Sequence, residues 1–174
     1  MPADQDDFVE FYQASYRRMV ALVAAMTGDW CQAEDIAQEA YARALTRWPQ
    51  VARYDLPEAW VRRVAIRLTV DALRRMGRAV RLSARLAAGE RDGAHGGRDP
   101  GDPLAATALS DAMMRLPLPH RQVLVLYYLA DLPVEEIARD CGISPSTVRS
   151  RLAAARDRLE RELKERDEEV PNAR

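Results

Sequence analysis

The chain is expected to fold as an all-α protein, two small helical domains joined by a flexible linker. Three observations lead there. Apolar residues recur at three- and four-residue spacing through most of the 174 residues, the period of amphipathic helices. Gly and Pro fall mostly at the ends of those segments, where helices start and stop. Between residues 79 and 103 the pattern dissolves into a Gly-, Asp- and Pro-rich run with too little apolar content for a core. Residues 8–78 would then form one domain, 79–103 the linker and 104–166 the second domain.

Taken in order, Phe8 to Met26 reads as a helix with Phe8, Tyr12, Tyr16, Met19, Val23 and Met26 on one side. Gly28 ends it. A second helix runs from about Cys31 to Trp48, with Ile36, Ala40, Ala44 and Leu45 inward, and Pro49 closes it. From Pro49 to Pro57 the chain is too short and broken for a regular element, so a loop is expected. The third helix, Glu58 to about Arg78, buries Trp60, Val64, Leu68 and Leu73; its other face carries Arg62, Arg63, Arg67, Arg74 and Arg75. Beyond the linker, Ala108 to Leu116 and His120 to Ala130 make two short helices, separated by Pro117 and Pro119.

The stretch from Pro133 to Leu159 is the most informative. Pro133 suits a first helical position, where its missing N–H would have had no partner. Gly142 then provides a left-handed cap. Ser144 follows as an N-cap with Pro145 at the first position, so a second helix begins at once. Val148, Leu152, Ala155 and Leu159 form its buried stripe. A small Ala138 at the crossing, Gly142 at the turn and apolar Val148 fit a helix-turn-helix. Opposite the stripe stand Ser146, Ser150, Ala153 and Ala154, with Arg149 on the flank. A slim polar face with an arginine at its edge suits the major groove, where Arg pairs with guanine. The same pattern is open to a plainer reading, a helical hairpin with solvated arginines.

Composition excludes several classes. With 48% hydrophobic, 30% charged and 6% aromatic residues, the chain has a soluble helical make-up. A net charge of −1 would not by itself suggest a nucleic-acid partner. Its distribution does: from Val61 to Arg85 eight arginines face a single acid, Asp71, and a second basic run starts at Arg149. No apolar run reaches membrane-span length, and the acidic start M-P-A-D-Q-D-D is unlike a targeting peptide, so cytoplasmic residence without membrane association is expected. Cys31 and Cys141 lie far apart without Cys or His at ligand spacing. Both read as small buried or half-buried residues rather than a disulfide or metal site. His95 and His120 have no nucleophile or carboxylate arrangement nearby, and no Gly-rich phosphate loop is present. Neither an active site nor a cofactor nor a metal is expected, and the chain does not read as an enzyme.

Three segments in this order resemble a known family. Q-A-E-D-I-A-Q-E-A-Y-A-R-A-L (Gln32–Leu45) is similar to a polymerase-binding helix, and A-W-V-R-R-V-A-I-R-L-T-V-D-A-L-R-R (Ala59–Arg75) to a promoter −10 recognition helix. The segment Leu116–Ala138 with G-I-S-P-S-T-V-R-S-R-L after it resembles a −35 recognition domain. Together they look like a group 4 (extracytoplasmic function, ECF) sigma factor of the sigma-70 family. The resemblance spans about Phe8 to Arg166. It implies a region 2-like domain followed by a region 4-like helix-turn-helix domain. The function implied is binding of core RNA polymerase and promoter-specific initiation through −10 and −35 elements.

The resemblance also implies roles. Asp35, Ile36, Gln38, Glu39 and Tyr41 map to the surface for the clamp helices of the largest polymerase subunit. Region 4 would meet the beta flap. Arg43 on the same helix leaves open a solvated, internally balanced face. Tyr54 maps to the loop that captures an unstacked −10 base, whereas Trp48 and Trp60, which flank it, read better as core. Arg62, Arg63, Arg67, Arg74 and Arg75 would track the DNA backbone beside the melted region. Asp71 would orient one of them. Ser146, Thr147, Arg149 and Ser150 map to −35 contacts, with Arg149 foremost. Family members often carry Asn where Arg67 stands and Asp where Gln32 stands. An anti-sigma factor is expected as a further partner. The short tail after Arg166 leads to the expectation of no additional C-terminal domain.

Two other functions compete. A conventional helix-turn-helix regulator would normally dimerise to match two half-sites. No dimerisation helix is apparent beyond those used above, so a monomer is expected when free. A purely protein-binding helical module would leave the arginine faces dispensable.

Overall fold

The computed structural model describes residues 3–86 and 108–169, with side chains from 6 to 79 and from 108 to 165. His95 and most of the expected linker lie outside the described residues. Among those described there are eight helices and no strand. They are α1 (Ala3–Thr27), α2 (Trp30–Thr46), α3 (Trp48–Val51), α4 (Pro57–Leu86), α5 (Ala108–Arg115), α6 (Leu118–Tyr128), α7 (Val134–Cys141) and α8 (Pro145–Glu169).

Helix α1 stops where Gly28 takes φ 74°, and the Gly28 N–H donates to Ala24 O at 2.8 Å. Asp29 then caps α2 by accepting from the Gln32 N–H at 3.0 Å. Helices α1 and α2 bury Met19, Val23, Met26, Ala33, Ala37, Ala40 and Ala44. The run of alanines on α2 lets the neighbouring helices approach closely. An aromatic cluster closes the end of this core: Trp48 packs edge-on against Phe8 with centroids 5.1 Å apart, and lies 5.0 Å from Phe11.

Several boundaries differ from the periodicity. Helix α2 ends at Thr46, and Pro49 occupies the first turn of the short helix α3 instead of closing α2. Proline is tolerated there because a first-turn N–H needs no helical partner. The expected loop therefore begins only after Val51. Leu45, expected inward, is 48% exposed. Alternation alone could not tell which side of α2 its neighbour Ala44 would claim. Helix α4 continues to Leu86, past the residue where the linker was expected to begin. Helix α6 starts at Leu118 and takes Pro119 into its first turn, and Pro133 caps α7 from outside.

The second half builds as the helix-turn-helix pattern requires. Gly142 takes φ 66°, ψ 37°, and the Ile143 N–H donates back to Ala138 O at 3.0 Å, closing the end of α7. Ser144 Oγ accepts from the Thr147 N–H at 3.1 Å and opens α8. Ile137, Val148 and Ala155 are fully buried, with Leu126 and Val123 of α6 beneath them. Truncating a buried Ile or Leu of this kind costs about 2–5 kcal/mol.

The two helical bodies do not stand apart. Helices α5, α6 and α7 meet α1 and α4, and the buried residues of both halves form one continuous cluster.

Candidate nucleic-acid interface

Three surfaces carry the residues singled out from the sequence. On α8, Ser146, Arg149 and Ser150 are exposed and Thr147 is half-buried, all on the side away from the Val148–Leu152–Ala155 stripe. Ser144 Oγ lies 2.8 Å from both Ser146 Oγ and Thr147 Oγ1, so the helix opens on a linked set of hydroxyls. Arg149 Nη2 donates to Glu135 Oε1 of α7 at 2.9 Å. Ala153 and Ala154 are exposed one turn further along. This face is narrow, polar and carries one guanidinium, which suits base edges in a groove.

The second surface is the loop after α3 together with α4. Tyr54 is 51% exposed beside exposed Leu56, whereas Trp48 is buried and Trp60 half-buried against the core. Of these aromatics, Tyr54 is the one open to stacking on a base. Arg67, Arg74 and Arg75 are exposed along α4. Arg75 Nε donates to the Asp71 backbone carbonyl at 3.3 Å, so this contact is made through the main chain of Asp71.

Arg62 and Arg63 are placed otherwise. They were expected to track DNA backbone, but Arg62 is only 8% exposed. Its Nε donates to Asp140 Oδ2 at 2.5 Å and its Nη2 to Glu136 Oε1 at 2.7 Å. Arg63 Nε donates to Asp140 Oδ1 at 2.9 Å. Both partners belong to α7. Helical periodicity marks an arginine face as solvated, and it has no means of showing a carboxylate brought from another domain.

The third surface lies on α2. Glu34, Asp35, Gln38 and Glu39 are exposed, and Glu39 pairs with Arg43 at 2.7 Å, half in solvent. Ile36 and Tyr41, expected on this surface, are instead core residues, 7% and 2% exposed. The Tyr41 hydroxyl donates to Ser15 Oγ at 2.6 Å, and Ser15 donates to Phe11 O at 2.6 Å. Burial pushes the Tyr41 pKa up to about 12; Glu58 and Tyr12 add to this, against the Ser15 hydrogen bond and Arg18. These two side chains hold α2 from behind while its acidic side faces outward.

Sequence reasoning did not single out Glu136, Asp140, Met114 or Arg121. Arg121 is buried on α6, its pKa lowered by desolvation, with Nη1 donating to Met114 Sδ at 2.8 Å. A signal was available for Asp140: an acid in the last turn of a helix opposes the local dipole and asks for a cationic partner. Of the two thiols, Cys31 is exposed, contrary to the expectation, and Cys141 is half-buried. Burial, aided by Asp140 and opposed by Arg151, pushes the Cys141 thiol up to about 11. Among the described residues, no helix is long and apolar enough to cross a membrane.

Comparison with known proteins matches both halves. The family model described as Sigma-70 region 2 covers residues 11–79, and the one described as Sigma-70, region 4 covers residues 106–159. The ECF RNA polymerase sigma factor SigW of Bacillus subtilis is 29% identical, the alignment covering 93% of this chain and 91% of SigW. The RNA polymerase sigma-E factor of Streptomyces antibioticus is 32% identical, over 94% of this chain and 89% of the relative. Among solved structures, the sigma factor RpoE of Bartonella quintana, in complex with the anti-sigma factor NepR, shares the fold. Its TM-score is 0.69 at 21% identity, covering 91% of this chain and 97% of that one. With region 2 and region 4 matched in that order, and a helix-turn-helix formed where region 4 falls, the chain belongs to the ECF RNA polymerase sigma factors, which direct promoter recognition and transcription initiation.

Proposed function

We propose that three separate faces divide the work of initiation. The acidic side of α2, with Asp35, Gln38 and Glu39 outward and Ile36 and Tyr41 supporting them from the core, docks on the clamp helices of the largest core-polymerase subunit. Tyr54 stacks on an unpaired base of the −10 element, and Arg67, Arg74 and Arg75 follow the adjoining phosphates. Arg62 and Arg63 join them only when released from α7. Ser146, Thr147, Arg149 and Ser150 read the −35 element in the major groove, while the same domain meets the beta flap. The working units are residues 8–78 and 104–166, tethered by 79–103.

The observation that supports this best is the exposure of all three polar faces on helices whose opposite sides are buried. Each face is thus held in place by the core and free to meet a partner. The two DNA-facing surfaces are single copies on one chain, which favours a monomer aligned by polymerase over a two-fold symmetric regulator. The protein acts in the cytoplasm as a dissociable subunit with no catalytic chemistry of its own. An anti-sigma factor holds it in reserve, a partner class found with the structurally similar RpoE.

Run-off transcription with core polymerase on genomic promoter fragments tests this reading. The chain should confer start-site selection that core enzyme lacks. Tight symmetric binding to duplex operators, without any effect on start sites, would replace it with the conventional-regulator reading.

A further inference from the structure

Arg156 of α8 is held by neutral groups. Its guanidinium carbon lies 5.5 Å from the ring centroids of both Tyr127 and Tyr128, and its Nε donates to Tyr128 Oη at 2.8 Å. The two rings, at the end of α6, are inclined by 79° with centroids 5.0 Å apart, so they make a corner around the cation. The negative end of the α6 dipole lies in the same turn. Arg149 and Arg158 of α8, by contrast, pair with the carboxylates of Glu135 and Glu162. Aromatic faces and a hydroxyl fix a guanidinium without neutralising it. The bond to Tyr128 engages only one of its N–H donors, and the cluster opens to solvent: Arg156 is exposed and Tyr128 is 63% exposed.

The place of Arg156 along α8 says what it can reach. It follows Arg149 by two helical turns, which sets it about 20° round and about 10 Å further along the same side. The major groove of B-DNA is about 12 Å wide. With Arg149 at the base edges, Arg156 comes to the rim of the groove, where the phosphates run. Exposed Ala153, between them in sequence, is small enough to let the helix approach. We propose that Arg156 binds a backbone phosphate at the edge of the −35 element, and that Tyr128, with Tyr127, is the positioning residue that aims it. The proposal rests on the reading of the −35 element by α8. A guanidinium fixed beforehand loses less freedom on binding, and its planar fork suits phosphate oxygens. Such a contact adds affinity and register, while Arg149 supplies the sequence preference.

The same contacts also fasten α6 to α8, and the salt dependence of DNA binding separates the two roles. Preformed holoenzyme is titrated onto duplex promoters that differ only in the −35 sequence, at several salt concentrations. Arg156→Ala should weaken binding about tenfold on every promoter and make the log–log salt slope shallower by about one. Arg156→Lys, which keeps the charge, should restore the slope. Tyr128→Phe keeps the ring and loses the hydroxyl; it should cost about threefold alone and nothing further in Arg156→Ala. An unchanged slope in an Arg156→Ala chain of wild-type helicity overturns the phosphate contact and leaves a packing role. A loss confined to some −35 sequences overturns it in favour of a base contact. Additive losses in the double variant remove Tyr128 as the positioning residue. Arg149→Ala checks the reading beneath: if it leaves the −35 preference as in wild type, that reading falls. If it shifts the preference while Arg156→Ala changes nothing, only the role of Arg156 falls.

Discussion

Arg149 on the recognition helix α8 and Glu135 on α7 meet at 2.9 Å with both side chains more than half exposed, at 60% and 62%. A pair so open to solvent is worth at most about 1 kcal/mol, so it orients the guanidinium without tying it down. The guanidinium is held outward at the edge of the exposed polar face of α8, where the proposed base contact requires it.

Arg149→Ala should accordingly weaken initiation only at promoters whose −35 element it reads, by about 1–3 kcal/mol for a bidentate contact with guanine. Glu135→Gln should leave thermal stability within roughly 1 kcal/mol of wild type. Transcription from a set of promoters differing only in the −35 sequence measures the first effect. An equal loss on every member of the set would refute base reading by Arg149.

The double reversal Asp35→Arg with Glu39→Arg should abolish co-purification with core polymerase. Both residues are exposed, and the bond lost is the surface Glu39–Arg43 pair, so far-UV circular dichroism should not change. Retention of the polymerase in a pull-down with a folded double variant would move the docking surface elsewhere.

Tyr41 predicts an alkaline signature. Its folded pKa, about 12, lies above the ordinary value of 10.0, so the stability it contributes is whole below pH 10 and is lost as pH rises through about 12. Tyr41→Phe should cost about 1 kcal/mol near neutrality, where a buried hydroxyl bond is removed. Because phenylalanine does not titrate, the gap in Tm between the two proteins should narrow steadily above pH 10. A constant gap across that range would show that Tyr41 titrates normally.

The two thiols should react at very different rates. Cys31 is exposed, whereas Cys141 is half-buried with its pKa near 11, so little of it is thiolate at neutral pH. A maleimide or disulfide reagent should modify Cys31 first, leaving Cys141 until the protein is denatured. Equal rates in the native protein would contradict the placement of Cys141 beneath the end of α7.

Much of the candidate site was legible because its signals are local. Gly142, Ser144 and Pro145 specify a turn and a helix start through their own backbone preferences, and Val148, Leu152 and Ala155 fix which side of α8 is buried. Exposure of Ser146, Arg149 and Ser150 follows from the same rotation. Tyr41 was misplaced because it lies on the border of the α2 stripe, where an aromatic ring can turn in or out; packing against Phe11, Tyr12 and Tyr16 turned it in. Pro49 and Pro119 were read as helix breaks because proline interrupts a helix interior, whereas both stand in first turns.

By itself, then, the amino-acid order determined the helices, the turn of the helix-turn-helix and the outward polar face of α8, since each depends on neighbours within a turn or two. Only the tertiary structure decided that Arg62 and Arg63 face Asp140 and Glu136 instead of solvent, and that the two helical bodies share one buried surface. The reason is physical: a charged helical face is equally consistent with water, phosphate or a distant carboxylate, and which one it meets is set by how whole domains come together.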